Sequence, residues 1–151
     1  MHYVAQFELY RSDNGSGYIA EALGLGSSVA RGSSKIDAIH AAHLLLAEFV
    51  DNALMRKEHL PDTVFVSSPC HGGEIIVLSV ERDLDGIRAI SAARAAEWLG
   101  VSRTRIGQLC DKGSLESWKE GARRMVSIRS VLARAEKQGK DLSARVSLGT
   151  R

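Results

Sequence analysis

The chain has 151 residues, enough for one ordinary domain or two small ones. Its 44% hydrophobic and 25% charged content is that of an ordinary globular chain. No apolar run approaches the roughly 18 residues needed to cross a bilayer, so a helical membrane protein is excluded and no membrane partner is expected. The net charge of +2 hides an uneven division: residues 1–86 hold 6 Lys/Arg and 12 Asp/Glu, a net of −6, and residues 87–151 hold 14 and 6, a net of +8. An acidic half followed by a basic half points to two modules with different partners, the basic one suited to a polyanion.

From the N-terminus, "HYVAQFELY" alternates, placing Tyr3, Ala5, Phe7 and Leu9 on one face of a strand with Gln6 and Glu8 opposite. That alternation, with its internal Glu, is unlike a signal peptide, and a cytoplasmic protein is expected. "RSDNGSG" is a turn and "YIAEALGL" a second strand, paired with the first as a hairpin; a short third strand is expected around Ser28–Ala30. A long helix follows, capped by Ser34 with Asp37 three residues on, and Ile36, Ile39, Leu46, Phe49, Val50 and Leu54 at helical spacings form its buried face. Pro61 closes this region. "TVFVSS" and "EIIVLSVE" follow as apolar, β-branched runs that make one strand or two, with "SPCHGG" as the loop between them.

This half offers no obvious chemistry. His40 and His43 lie three apart on the long helix with Asp37 a turn earlier, a spacing that can hold a metal, but no fourth ligand is evident and they read as surface or boundary histidines. Cys70 and His71 are neighbours, yet no orienting group or oxyanion loop accompanies them. "GLGSS" and "DNGSG" match neither a P-loop nor a dinucleotide fingerprint, and turn chemistry explains both. No catalytic residue, metal or cofactor is expected, and the chain does not read as an enzyme. Cys70 and Cys110, far apart in sequence, read as free thiols.

"ERDLDG" is a charged hinge, and from Ile90 the pattern is helical with one strand-like interruption. Ser91 caps a helix carrying Ala92, Ala95, Ala96 and Leu99; Gly100 supplies a sharp turn; Ser102 caps a second helix with Ile106 and Leu109 inward. This spacing is that of a helix-turn-helix, and it leaves Arg103, Thr104, Arg105 and Gln108 outward. Arg can bond guanine in two places, Gln can pair with adenine, and Thr can reach a phosphate or a thymine methyl group. "WKEGARRMVSI" reads as a hairpin turning at Glu120–Gly121, with Trp118 and Val126 or Ile128 inward and Lys119, Arg123 and Arg124 crowding the tip near backbone phosphates. A last helix is expected from about Ser127 to Gln138, and the basic tail 140–151 has no strong period and reads as loose.

Two resemblances follow. "AAEWLGVSRTRI", then "KG", "WKEGARRMVSI" and "SVLARAEK", resembles the small winged helix-turn-helix domains of the excisionase and MerR-like family. It implies double-stranded DNA as partner, with Arg103, Thr104, Arg105 and Gln108 as base readers and Lys119, Arg123 and Arg124 as phosphate or wing contacts. "SDNGSGYIAEALGL" and "RGSSKIDAIHAAHLLLAEFV" resemble the HicB-type antitoxin domain, a small, partial RNase H-like fold. That implies a small, basic RNA-cleaving toxin as protein partner and repression of the chain's own promoter, with no nuclease activity. The expected fold class is α+β: a β-β-β-α-β module over residues 1–84, a mainly helical winged helix-turn-helix domain over residues 88–139, and the tail. Three functions stay open: an antitoxin that regulates its own promoter, a stand-alone regulator whose first half oligomerises or senses a ligand, and an excisionase-like architectural protein. A homodimer or higher homo-oligomer is expected, because a single module reads only a few base pairs.

Overall fold

The structure, a computed structural model, describes residues 1–148. The chain is α+β and divides into two compact units, Met1–Asp83 and Leu84–Arg151. Among the described residues, no helix is long and apolar enough to cross a membrane.

The first unit runs β1 (His2–Arg11), β2 (Tyr18–Leu23), β3 (Val29–Gly32), α1 (Lys35–Arg56) and β4 (Glu74–Glu81). The strands form one antiparallel sheet in the order β3-β2-β1-β4. Tyr3, Ala5, Phe7 and Leu9 share the face that α1 covers, and there they form a core with Ala38, Ala42, Leu46 and Val50. The small alanines at the start of α1 let the helix lie close to the sheet. Gly32 makes the same closeness possible, since a Cβ there would sit 2.2 Å from the Ala38 nitrogen. Ser34 caps α1: its hydroxyl accepts from the Asp37 N–H at 3.1 Å, and the Asp37 carboxylate accepts from the Ser34 N–H at 3.1 Å. At the far end of α1, Asp51 is buried and accepts two hydrogen bonds of 2.8 Å from the Arg82 guanidinium, which ties the helix to the chain just after β4.

One expectation for this unit needs correction, and one open alternative is decided. Ile36 is 77% exposed. The buried stripe is Ala38, Ala42, Leu46, Val50 and Ala53, and two residues of helix, about 200° of rotation, put Ile36 on the opposite side. Thr63–Ser68 is not a strand. It begins an irregular strap, residues 63–73, across the sheet face opposite α1, where the Thr63 hydroxyl donates to the Val4 carbonyl at 2.6 Å and the Val66 N–H donates to the Gln6 side chain at 2.7 Å. Each of these bonds joins a side chain to a backbone group, so the segment forms no backbone ladder with the sheet. The connection from Lys57 to Gly73 carries the chain back along the sheet, so β4 enters antiparallel to β1.

The second unit runs β5 (Ala89–Ser91), α2 (Ala92–Leu99), α3 (Arg103–Asp111), β6 (Ser117–Glu120), β7 (Arg123–Ser127), α4 (Ile128–Lys137) and α5 (Ser143–Leu148). The expectation of a mainly helical domain is overturned here: three strands form a sheet in the order β5-β7-β6. β5 is only three residues long, too short to show a period, and its place comes from pairing Ile90 opposite Val126. The hairpin turns at Gly121 and Ala122, one residue later than expected, with Gly121 at φ 57°. Trp118, Val126 and Ile128 are all buried, and the core also takes in Trp98 and Leu115. The segment expected to be a loose tail is folded through α5. Leu142 is buried, Val146 packs against the core, and the Lys140 ammonium donates to the Leu99 carbonyl at the end of α2. The last three residues of that tail lie outside the described ones.

Candidate nucleic-acid interface

The turn between α2 and α3 is three residues long, Gly100–Ser102. Gly100 sits at φ 67°, a conformation that costs glycine little, and its N–H bonds back to the Ala96 carbonyl. The Val101 N–H donates to the same carbonyl at 3.0 Å. Ser102 then caps α3, its hydroxyl accepting from the Arg105 N–H at 3.1 Å. Ile106 and Leu109 are buried, and this fixes the rotation of the helix.

With that rotation set, Arg103, Thr104, Arg105 and Gln108 are all exposed on α3. Arg105 and Gln108 are one turn apart and touch, the guanidinium donating to the Gln108 side-chain oxygen at 3.0 Å. The three basic residues of the hairpin do not share one environment. Lys119 and Arg123 are exposed. Arg124, opposite Lys119 in the register, instead reaches back to α3, where it donates to the Gly107 carbonyl at 3.3 Å and to the Asp111 carboxylate at 3.0 Å. Arg124 therefore joins the hairpin to the C-terminal turn of α3. A neutralising cation there also suits the negative end of the helix dipole. Sequence spacing could not reveal this, because it depends on where the hairpin folds back. Cys110 is partly buried against the core of this unit.

The first unit holds a second polar constellation, on the sheet face opposite α1. Glu8 is fully buried, and its carboxylate accepts from the backbone N–H groups of Cys70 (2.8 Å), His71 (2.6 Å) and Gly73 (3.1 Å). Burial pushes its carboxyl up, but the three N–H donors together outweigh burial and hold it below the ordinary glutamate range. His71 stacks on Tyr10 with ring centroids 4.3 Å apart, and its Nε2 lies 3.2 Å from Glu21. Tyr10 donates to Glu21 at 2.9 Å. The Tyr10 hydroxyl is pushed up to about 12, first by burial and then by the Glu21 carboxylate that accepts its hydrogen bond. No local pattern marks Glu8, Tyr10 and Glu21, because the strap that gathers them crosses the sheet 62 to 65 residues beyond Glu8. Cys70 is exposed. His40 and His43 are exposed on α1, and among the described residues no three His, Cys, Asp or Glu side chains are grouped to hold a metal ion.

Compared with known proteins, the chain matches no family model, and no curated protein matches it.

Proposed function

We propose that this chain is a sequence-specific DNA-binding regulator. Its basic unit lays α3 in a major groove, with the β6–β7 hairpin against the neighbouring backbone. One observation carries the reading. A serine-capped helix is held by Ile106 and Leu109 so that Arg103, Thr104, Arg105 and Gln108 are presented together, in a segment of net +8. The resemblance of residues 90–137 to excisionase and MerR-like domains supports the same assignment. Lys119 and Arg123 serve as phosphate contacts. Arg124 holds the hairpin on α3 and so sets where those contacts fall.

The acidic unit is the protein-binding half. The net of −6 over residues 1–86 suits a basic partner, and with the HicB resemblance that partner is a small RNA-cleaving toxin which this chain neutralises while repressing its own promoter.

Fluorescence anisotropy of the full chain tests the DNA reading, using DNA from upstream of its own gene and a scrambled duplex at two salt concentrations. The expected result is tighter binding to its own DNA by about 100-fold or more, weakening as salt rises. Equal, weak binding to both duplexes would count against it. Co-expression with a small neighbouring gene tests the toxin: failure to bind its product or to relieve growth arrest removes the antitoxin role.

A further inference from the structure

The two edges of the four-stranded sheet differ in kind. One is β3, four residues long, carrying the exposed Arg31 and ending at Gly32. A short, charged edge of this sort resists pairing with another strand. The other is β4, eight residues reading "EIIVLSVE". Between its terminal glutamates it holds five aliphatic residues and one serine, with no lysine, proline or glycine to block a further strand. Val77, at its centre, is 56% exposed. Its outer row of backbone groups is a template for another strand, and such templates are normally protected or used.

We infer that β4 is the homodimer contact of this protein, pairing antiparallel with β4 of a second copy across a two-fold axis at Val77. This rests on the proposed DNA reading in one respect: a two-fold pair of reading helices is what a regulator of this kind presents to its site.

The strand's own sequence supports its copy as the occupant. Centring the pairing on Val77 sets Glu74 opposite Val80 of the partner copy, Ile75 opposite Ser79 and Ile76 opposite Leu78, while Glu81 falls opposite Gly73. No carboxylate then opposes another. A register shifted by one residue would put Glu74 opposite Glu81 at both ends, and like charges directly opposite repel. Side-chain parity selects the same alignment. Leu78 and Ile76 lie on the α1 face, opposite Ala5 and Phe7 in the register, whereas Val77 lies opposite Gln6 on the strap side. Directly opposed residues project to the same face of a sheet. Pairing Val77 with Val77 therefore keeps both helices on one face of a continuous eight-stranded sheet and brings the two exposed valines together on the other. The odd shift would put the helices on opposite faces.

Sedimentation velocity of the full chain without DNA, at micromolar concentration, tests this. A dimer is expected, with Val77→Lys shifting it to monomer. Val77 is exposed, so circular dichroism of the variant should be unchanged. A second variant, Val77→Cys, should cross-link to a covalent dimer on oxidation or with a short bismaleimide, because centred residues bring their Cβ atoms within roughly 5 Å. The unsubstituted chain, with Cys70 and Cys110, is the control. A monomeric chain overturns the inference, as does a dimer that survives Val77→Lys without cross-linking at position 77. A stable complex with another protein through β4, on an otherwise monomeric chain, overturns it in favour of a foreign strand. Because no DNA is present, failure here leaves the DNA reading standing, and failure to bind DNA leaves this result standing.

Discussion

Glu8 and Glu21 sit directly opposite each other across β1 and β2, two carboxylates on one face of a sheet, and each is satisfied by the same strap. The strap gives Glu8 three backbone N–H groups and places the His71 ring 3.2 Å from Glu21. Opposed like charges destabilise a sheet, so the strap, together with the Tyr10 hydroxyl that donates to Glu21, makes this pair tolerable. Glu8→Gln keeps the shape but removes the charge and turns an amide toward N–H donors. A loss of about 2–3 kcal/mol in urea unfolding is expected.

The same residue sets a pH dependence. The folded carboxyl of Glu8 lies below its unfolded value, so its contribution is fully present above the ordinary glutamate range of about 4.3 and is lost as pH falls through the lower, folded value. Thermal melts from pH 7 down to pH 3 should show the parent chain losing stability in that acid range. Glu8→Gln should give a shallower slope there. Equal slopes would mean that other carboxylates carry the acid sensitivity.

Gly32 reports how closely α1 rests on β3. Its Cβ would meet the Ala38 nitrogen at 2.2 Å and the Asp37 carbonyl carbon at 2.5 Å, both backbone atoms that cannot step aside. Gly32→Ala is expected to cost on the order of 2–4 kcal/mol, as overpacking does. Gly26→Ala, at φ 66° but with open space around it, should cost about 1 kcal/mol through backbone strain alone. Calorimetry of the two variants separates crowding from backbone strain.

In the second unit, stability and recognition should part company between adjacent arginines. Arg124→Ala loses the bonds to Gly107 and Asp111 and should lower stability by about 0.5–1.5 kcal/mol, read by denaturant unfolding. Arg123→Ala should leave stability unchanged. In DNA titrations it should weaken all duplexes alike and reduce the salt slope by about 1. A large stability loss from Arg123→Ala would show that the hairpin's exposed face is structural.

Gln108→Ala tests base reading itself. It should cost about 1–3 kcal/mol on the preferred site and relax preference at one base pair, whereas Lys119→Ala lowers affinity for every sequence. The Arg105–Gln108 hydrogen bond makes the two positions interdependent, so the double variant should fall short of the sum of the singles. If Gln108→Ala weakens all duplexes equally, its side chain touches backbone and not bases.

Much of the local structure was legible in the residues. The alternation of β1 put Tyr3, Ala5, Phe7 and Leu9 on one face, although Gln6 and Glu8 on the other are buried as well. Ser34 with Asp37, Ser91 and Ser102 each marked a helix start, and Gly100 marked the turn between α2 and α3. These signals are local, set by backbone groups within four residues of each cap, and the sequence by itself determined them. So too with the charge division between the halves, which needs no fold to be read.

What only the tertiary structure decided depends on distance along the chain. The apolar run at Thr63–Ser68 has strand composition, yet it lies over a face because the Val4 carbonyl and Gln6 capture it there and Glu8 holds the Cys70–Gly73 turn that follows. Ile36 fits a helical period but sits in the first turn of α1, on the side away from the sheet. β5 is three residues that become a strand only because β7 offers an edge, which turns an apparently helical half into a mixed one. Arg124 became a clamp because the hairpin folds back on Asp111. In each case the residue's partner is remote, and loop closure brings the two together, which no local pattern encodes.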